Sequence, residues 1–141
     1  MKRILAFDIG EKRIGVAVSD ALGITAQGLE TYTRTGNIDA DTDYLIAIAN
    51  KYAPVKLLFG LPKNMDGSEG AQAERVKQFA DAMLEKFDGE YDFFDERLTT
   101  VSAHKTLIEG NVSRKKRKAV VDKIAAVLIL QGYLEQKGGL L

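Results

Sequence analysis

The segment at residues 3–9 constrains the fold more than any other part of the chain, because it is short and apolar on both faces. A strand with two apolar faces belongs in the interior of a sheet that is covered on both sides. A brief turn at residues 10–13 leads to a second apolar run at residues 14–19, and so short a link predicts an antiparallel hairpin. Residues 24–33, which are rich in Thr and Tyr, can supply a third strand.

Beyond residue 33 the chain alternates between helical and strand-like spacing. The predicted elements are a helix from Asp39 or Asp41 to residue 52, a strand at 55–59, a loop at 60–70, a helix at 71–87, a strand at 91–95, a helix from Thr99 or Thr100 to 107 or 108, and a helix at 114–136. An antiparallel meander followed by such an alternation implies an α/β fold, with a mixed five-stranded sheet and helices on both faces. No linker or repeat divides the chain, so we expect one domain over residues 1–141.

The composition bounds the class of protein. Hydrophobic residues make up 45% and charged residues 28% of the 141 residues, which is typical of a globular domain with a sizeable core. The formal net charge is zero, so any contact with nucleic acid must come from local patches. The absence of cysteine excludes disulfides, thiol catalysis and zinc sites built from cysteine. No apolar run approaches the ~20 residues of a membrane-spanning helix, and we expect a cytoplasmic protein without membrane contact.

Three acidic residues stand inside or beside apolar runs: Asp8, Glu96 and Asp122. Asp8 lies in the first predicted strand, Glu96 follows the last one, and Asp122 precedes the apolar run at 124–130 of the final helix. A carboxylate in an apolar segment costs free energy unless something compensates its charge, and a divalent cation with oxygen ligands can do so. Carboxylates that converge from three separate elements indicate metal-assisted chemistry on phosphate esters.

Each acid also has a purely structural interpretation. Asp8 can open the turn that follows it, although the apolar strand before it makes this the weaker interpretation. Asp122 can balance Lys118, which lies one helical turn earlier. Strand alternation puts Asp95 and Glu96 on opposite faces that each carry a Phe, so the spacing alone does not choose between these two acids.

Local clusters of positive charge are the second signal of function. Five consecutive cations at residues 114–118 repel one another unless an anion lies beside them, although a solvated helix face is the plainer interpretation. The hairpin turn can contact phosphates or can simply be a polar tip. The glycine-rich loop at 60–70 can bind phosphate through its backbone N–H groups or can be a rigid connection. Such contacts bind the nucleic-acid backbone and carry no sequence information. The candidate substrate-binding residues are Lys12, Arg13, Lys63, Asn64, Arg97, Arg114, Lys115 and Lys118.

Four segments in order along the chain carry a resemblance to a known family. They are Asp-Ile-Gly-Glu-Lys-Arg-Ile-Gly-Val-Ala at 8–17, Gly-Leu-Pro followed by Asn-Met-Asp-Gly at 60–67, Asp-Glu-Arg-Leu-Thr-Thr at 95–100, and the basic run at 113–118 with Val-Asp-Lys-Ile-Ala-Ala at 121–126. With these segments the chain resembles the YqgF/RuvX family, which has a ribonuclease H-like fold. The sequence departs from the family pattern at Ile9, Glu11 and Lys63, and none of these departures removes a proposed metal ligand.

The resemblance implies a function and a set of roles. Family members are described as Holliday-junction resolvases and as nucleases that mature the 5′ end of pre-16S ribosomal RNA. The resemblance makes Asp8, Glu96 and Asp122 an acidic triad that holds Mg²⁺ or Mn²⁺, with two ions when substrate is bound and Asp8 between them. We expect maturation of pre-16S rRNA in ribosome biogenesis, with resolution of DNA junctions or non-catalytic nucleic-acid binding as alternatives. The implied partners are pre-rRNA or branched DNA and a ribosomal particle, and the chain is expected to be a monomer or a weak homodimer.

A third interpretation follows from the first hairpin alone. The pattern Asp-x-Gly at residues 8–10 also opens sugar kinases and actin-like ATPases, whose folds are related. Those enzymes need a second lobe to close over a nucleotide, and tight binding of Mg-ATP would distinguish them. We therefore expect a nuclease in preference to a kinase or ATPase.

Overall fold

The structure is a computed structural model that describes residues 2–98 and 114–138, and of residues 114–122 and 138 it describes the backbone alone. The helix predicted from Thr99 or Thr100 to about residue 108 lies outside the described residues. The strands are β1 (Arg3–Ile9), β2 (Arg13–Ser19), β3 (Ala26–Thr33), β4 (Val55–Leu61) and β5 (Tyr91–Asp95). The helices are α1 (Ile38–Lys51), α2 (Ala71–Leu84) and α3 (Arg114–Gly138), and a short 3₁₀ turn at Glu96–Leu98 follows β5.

The five strands form one mixed sheet in the order β3-β2-β1-β4-β5. The β1–β2 and β2–β3 pairs are antiparallel, whereas β4 lies parallel to both β1 and β5. The apolar first strand therefore lies at the centre of the sheet, as its two-sided pattern predicts. The predicted class and strand arrangement are both confirmed.

One face of the sheet is covered by α1 and α2. The side chains of Phe7 and Phe59 stack there, with ring centroids 5.7 Å apart. The two helices add Leu45, Phe79 and Met83, and all five side chains are at most 2% exposed. Close packing of large apolar side chains makes this face the main hydrophobic core.

Within residues 2–98 and 114–138, the opposite face is covered by α3 alone. The strands present small residues to this helix, among them Ala6, Ala17 and Gly28. A Cβ atom added at Gly28 would lie only 2.8 Å from Cγ of Lys123, so the glycine leaves room for the lysine stem. Small side chains let a helix approach a sheet closely, and α3 buries Ile129 completely against this face.

Several predicted boundaries differ from the structure, and three of the differences have an identifiable cause. The first helix is capped by Asn37 instead of Asp39 or Asp41, because the Asn37 side chain accepts hydrogen bonds from the backbone N–H groups of residues 39 and 40. The strand predicted at 55–59 continues to Leu61, because the next two residues pair with β5. The second helix ends at Leu84 and not at residue 87, since Lys86 N–H bonds to the carbonyl only three residues earlier.

None of the helices within residues 2–98 and 114–138 is long and apolar enough to cross a membrane.

Candidate nuclease site

Two of the three predicted acids meet at one edge of the sheet. Strands β1, β4 and β5 run parallel, so their carboxyl ends lie at the same edge, where Asp8, Gly60 and Glu96 follow one another across the sheet. Asp8 comes one residue after Phe7, whose partner Phe59 comes one residue before Gly60. Asp8 and Gly60 therefore occupy neighbouring positions on adjacent strands.

Strand alternation fixes the face on which these residues lie. Ala6 of β1 and Phe94 of β5 both pack in the cluster formed with α3. Because residues two apart share a face of a strand, Asp8 lies on the α3 side of the sheet, and Glu96 continues the same face from the end of β5. Both acids are half-buried.

Gly60 makes the room that the Glu96 carboxyl group occupies. A Cβ atom added at Gly60 would lie 3.3 Å from the carboxyl carbon of Glu96 and 2.4 Å from Cδ1 of Ile129. The Glu96 carboxyl therefore folds back over β4, in the space between the strand and α3. Since Gly60 is also the neighbour of Asp8, the two carboxyl groups lie on the same side of the same part of the sheet.

Asp95 faces the other way and has a different partner. Its carboxylate accepts hydrogen bonds from Arg97, at 3.0 Å from Nε to Oδ2 and 2.7 Å from Nη2 to Oδ2. These hydrogen bonds, with the positive charge of the guanidinium, lower the pKa of Asp95 below its ordinary value. Spacing did not distinguish Asp95 from Glu96, but their surroundings differ: Asp95 is bound to Arg97, whereas Glu96 shares a face with Asp8.

The third predicted acid, Asp122, belongs to α3, but its side chain lies outside the description. Helix α3 packs on the face that carries Asp8 and Glu96, through Ala126 and Ile129. Among the side chains that the structure describes, which exclude that of Asp122, no three acidic or histidine residues form a metal-binding group. The predicted phosphate contacts Arg114, Lys115 and Lys118 also lie on this helix, with only their backbone described.

The hairpin turn after Asp8 is held tightly. Gly10 N–H donates to the carbonyl of Arg13 at 2.9 Å, and a Cβ atom at Gly10 would lie 2.6 Å from that oxygen. Arg34 fastens the turn from outside, because its Nη1 donates to the carbonyl of Gly10 and its backbone N–H to that of Lys12. Lys12 is exposed, and alternation along β2 puts Arg13 on the α3 side of the sheet.

The other predicted contacts lie in the loop after β4 and in the 3₁₀ turn after β5. Asn64 donates from Nδ2 to the hydroxyl of Ser68 at 2.9 Å, so its side chain is part of the loop itself. Lys63 is half-buried, and its charge contributes to the lowered pKa of the Asp95 carboxyl after the larger contribution of Arg97. Arg97, expected to contact substrate, is engaged with Asp95 and with the carbonyl of Met65.

A buried acid that the sequence analysis expected only as an alternative helix cap supports the hairpin turn. Asp41 is fully buried, and its Oδ1 accepts hydrogen bonds from the Tyr32 hydroxyl at 2.7 Å and from both N–H and hydroxyl of Thr35 at 2.9 Å. Its Oδ2 lies 3.8 Å from Nε of Arg34, the residue that holds the turn. The sequence feature that could have revealed this buried acid is its position one helical turn before Leu45, on the apolar stripe of α1.

The contacts of Asp41 shift two pKa values in opposite directions. Burial by itself raises the pKa of the Asp41 carboxyl, but the hydrogen bonds from Thr35 and Tyr32 and the charge of Arg34 outweigh burial and leave the pKa below its ordinary value. The same hydrogen bond, followed by burial and by the negative charge, raises the pKa of Tyr32 to about 12. Asp41 is therefore an ionised structural group near the site.

Comparison with known proteins identifies the family. The sequence model of the RuvX family, described as Holliday junction resolvase, matches residues 2–136. The chain belongs to the RuvX family. It is 52% identical over 133 residues to a Clostridium tetani protein that carries the name "Putative pre-16S rRNA nuclease", covering 94% of this chain and 96% of that protein. A Halalkalibacterium halodurans protein of the same name is 50% identical over 136 residues, covering 96% and 97%.

Among solved structures, the chain is similar in fold to RuvC of T. thermophilus, which was determined in complex with a Holliday junction substrate. The TM-score is 0.60 and the superposition covers 99% of this chain and 97% of that chain, at 12% sequence identity. At this identity the likeness concerns the fold. The RuvX family is a family of nucleases, so the predicted family, fold and enzyme class are confirmed.

Proposed function

We propose that this chain is a metal-dependent endonuclease that hydrolyses phosphodiester bonds in structured nucleic acid, and that its first substrate is the 5′ leader of pre-16S rRNA in the cytoplasm. The observation that carries the proposal is the pair of half-buried carboxyl groups, Asp8 and Glu96, on the α3 face beside Gly60. The name shared by relatives that are 50–52% identical over nearly their whole length supports the choice of substrate.

The residues at this edge fit a divalent cation. Asp8 and Glu96 offer carboxylate oxygens, the ligands that Mg²⁺ and Mn²⁺ prefer, in a setting where the Glu96 carboxyl lies close to the apolar Ile129. Helical periodicity puts position 122 on the stripe of α3 that includes Ala126 and Ile129, which supports Asp122 as the third ligand. When bound, two such ions would activate water and neutralise the charge that develops on the phosphodiester.

Cationic residues around the edge would hold the nucleic-acid backbone. Lys12 lies in the hairpin turn after β1, Arg13 begins β2, and Lys63 follows β4, so their charges flank the two acids at the same edge of the sheet. The basic segment at 114–118 begins the helix that covers this face. Contacts of this kind fix the position of a phosphate chain over the acids without reading its sequence.

Resolution of four-way DNA junctions is the second candidate function. The family description and the fold shared with RuvC, a protein solved with a Holliday junction substrate, favour it. Two symmetric cuts in a junction require two sites related by a two-fold axis, hence a dimer of this chain. A monomer suits a single cut in an RNA strand better, so the oligomeric state on each substrate separates the two candidates.

The test is cleavage of labelled pre-16S rRNA leader RNA and of a synthetic four-way junction, each with Mg²⁺, Mn²⁺ or EDTA. Asp8→Asn and Glu96→Gln are expected to lose more than about 100-fold in rate, since even residues that only support a metal ligand cost 10–100-fold. Asp92→Asn is the matched control, because Asp92 lies on the same face at the opposite end of β5 and bonds to Tyr133. Full activity in Asp8→Asn would exclude the proposed site, and paired cuts in the junction without RNA cleavage would favour the second candidate.

A further inference from the structure

The loop after β4 contains a preformed turn at residues 64–68, which we call the Asn64 turn. The backbone N–H of Asn64 donates to the carbonyl of Ser68, and that of Gly67 to the carbonyl of Asn64, both at 2.9 Å. Inside the turn, Oδ1 of Asp66 accepts from the Ser68 backbone N–H at 2.9 Å and from its hydroxyl at 2.6 Å. Gly67 has φ +88°, which closes the turn without backbone strain. The shape of the turn is therefore set by its own hydrogen bonds.

Arg97 fastens the Asn64 turn to the carboxyl edge of the sheet. Its Nη1 donates to the carbonyl of Met65 at 3.4 Å, while Nε and Nη2 hold Asp95. A Cβ atom at Gly67 would lie 3.3 Å from Nη1 of Arg97, so the turn and the guanidinium are in close contact. Because Arg97 directly follows Glu96, the Asn64 turn stands next to the proposed site.

Met65 lies at the tip of this turn and is 97% exposed. The next most exposed large apolar side chains in the described part of the chain are Ile24 at 69% and Leu22 at 65%. A side chain so exposed adds almost nothing to the hydrophobic core. The turn that carries it is nevertheless held by four hydrogen bonds that involve its backbone and by two between its side chains. An exposed apolar side chain on a rigid turn favours a contact with a bound partner, because the turn loses little conformational entropy on binding.

We propose that Met65 packs against a nucleobase of the substrate next to the scissile phosphate. This inference rests on the proposed nuclease function and adds to it a contact with a base. The thioether is apolar and polarizable, which suits the face of any base, and methionine can wedge between bases that have been unstacked. Lys63, two residues earlier, supplies a positive charge for the adjoining phosphate. The contact would hold an unstacked nucleotide over Asp8 and Glu96 without selecting its identity.

The experiment is a double-mutant cycle between protein and substrate. Met65→Ala and Met65→Leu are compared with the unaltered protein on leader RNA and on a set of RNAs in which one base near the cut is replaced by an abasic site. Affinity is measured by fluorescence anisotropy with Ca²⁺ and cleavage with Mg²⁺. Leu22→Ala is the matched control, because it removes an exposed apolar side chain from the β2–β3 connection.

Met65→Ala is expected to bind the intact RNA roughly five- to tenfold more weakly, less than the loss of an aromatic stacking partner would cause. Met65→Leu should stay within about twofold, since it keeps the apolar volume, and Leu22→Ala should not change affinity. At one abasic position the difference between Met65→Ala and the unaltered protein should disappear.

Equal affinity of Met65→Ala and the unaltered protein for every RNA would overturn the Met65 contact, even where Asp8→Asn abolishes cleavage. A loss that persists at every abasic position would overturn it as well, because the lost partner would then be something other than a base. Cleavage that continues in Asp8→Asn would overturn the proposed function instead, and the anisotropy cycle would still decide whether Met65 touches a base.

Discussion

The two faces of the central sheet are built from different kinds of residue. The face toward α1 and α2 carries Phe7 and Phe59, which pack with Phe79 of α2 in a core that excludes solvent almost entirely. The face toward α3 carries Ala6 and Gly60, and among the described helices only α3 lies close against it. Each large side chain buried on the first face contributes about 1.5–3 kcal/mol, so the aromatic cluster there is a major source of hydrophobic stabilisation.

Because the two faces differ in this way, one sheet can place its hydrophobic core on one side and its candidate metal ligands on the other. Phe7 and Asp8 are neighbours in sequence, yet alternation directs one into the aromatic core and the other toward α3. Asp95 and Glu96 repeat the arrangement: the first makes a structural ion pair with Arg97, and the second occupies the space that Gly60 leaves. We expect substitutions on the two faces to have separable effects on folding and on cleavage.

The largest effect is expected from Phe7→Ala, which removes a fully buried ring from the aromatic face. The free energy of unfolding should fall by about 3–5 kcal/mol, through lost transfer energy and the cavity that remains. Urea denaturation measures this loss. Below the unfolding transition, cleavage per folded molecule should stay near that of the unaltered protein. A parallel loss of cleavage in fully folded Phe7→Ala would show that the faces are not separable.

On the other face, Gly60→Ala is expected to cost about 3 kcal/mol, because the new Cβ would approach Cδ1 of Ile129 to 2.4 Å. It should also reduce cleavage, since the Glu96 carboxyl must move. Adding Ile129→Val removes the clashing atom and should restore stability more than activity. Gly28→Ala is the control, because the atom it meets belongs to an exposed lysine that can move aside. Full cleavage activity in Gly60→Ala would show that the space at Gly60 does not position the Glu96 carboxyl.

Asp41→Ala should cost about 2 kcal/mol, because the Tyr32 hydroxyl and the Thr35 N–H lose their acceptor. The pKa of Asp41 is lowered in the folded protein, so its ionisation contributes stability that is fully present above the ordinary value of 3.8 and is lost as the pH falls through the folded-state pKa. The stability gap between the unaltered protein and Asp41→Ala should therefore be constant near neutral pH and shrink in acid.

The control for this pH dependence is Asp43→Ala on the same helix. Asp43 forms an ion pair with Lys86, but its side chain is 70% exposed. Exposed pairs of this kind contribute at most about 1 kcal/mol. A gap for Asp41→Ala that does not change between pH 7 and pH 3 would show that folding does not lower the pKa of this carboxyl.

The smallest effect is expected at the Asn64 turn. Gly67→Ala forces a side chain onto φ +88° and should cost about 1 kcal/mol. Gly36→Ala is a close match, because Gly36 has φ +90° and no atom within 4 Å of an added Cβ. If Gly67→Ala loses more stability than Gly36→Ala, the difference reports the contact with Arg97. A loss of RNA affinity in Gly67→Ala alone would report the same contact. Identical behaviour of the two variants in melting and binding would show that Arg97 does not fix the turn.

Much of the fold was accessible from local pattern. The two-sided apolar run at 3–9, the short hairpin link and the later alternation of helices and strands predict the sheet and its central strand, because burial on both faces leaves no polar positions. The boundaries that were wrong depend on partners elsewhere in the chain. Gly60 continues β4 because β5 pairs with it, and Asn37 caps α1 although two aspartates stand close by.

The candidate site divides in the same way. Asp8 could be recognised from its place in an apolar strand, but nothing in the spacing at 91–96 distinguishes Asp95 from Glu96. Arg97 was predicted to contact substrate, and what the sequence did not reveal is that its guanidinium joins Asp95 to the Asn64 turn across more than thirty residues of sequence. Asp41 was expected only as an alternative helix cap, and its buried role was missed because its four polar contacts come from β3 and the residues that follow.

Apolar periodicity and local motifs were enough to predict the strands, helices and turns and the family, because neighbouring residues carry those signals. The faces that Asp8, Asp95 and Glu96 occupy depend on tertiary packing. A carboxyl group at the end of a strand is directed by the parity of its strand and by the free space beside it. That space exists because Gly60 lies on one strand, Glu96 on the next, and Ile129 on a helix far away in sequence.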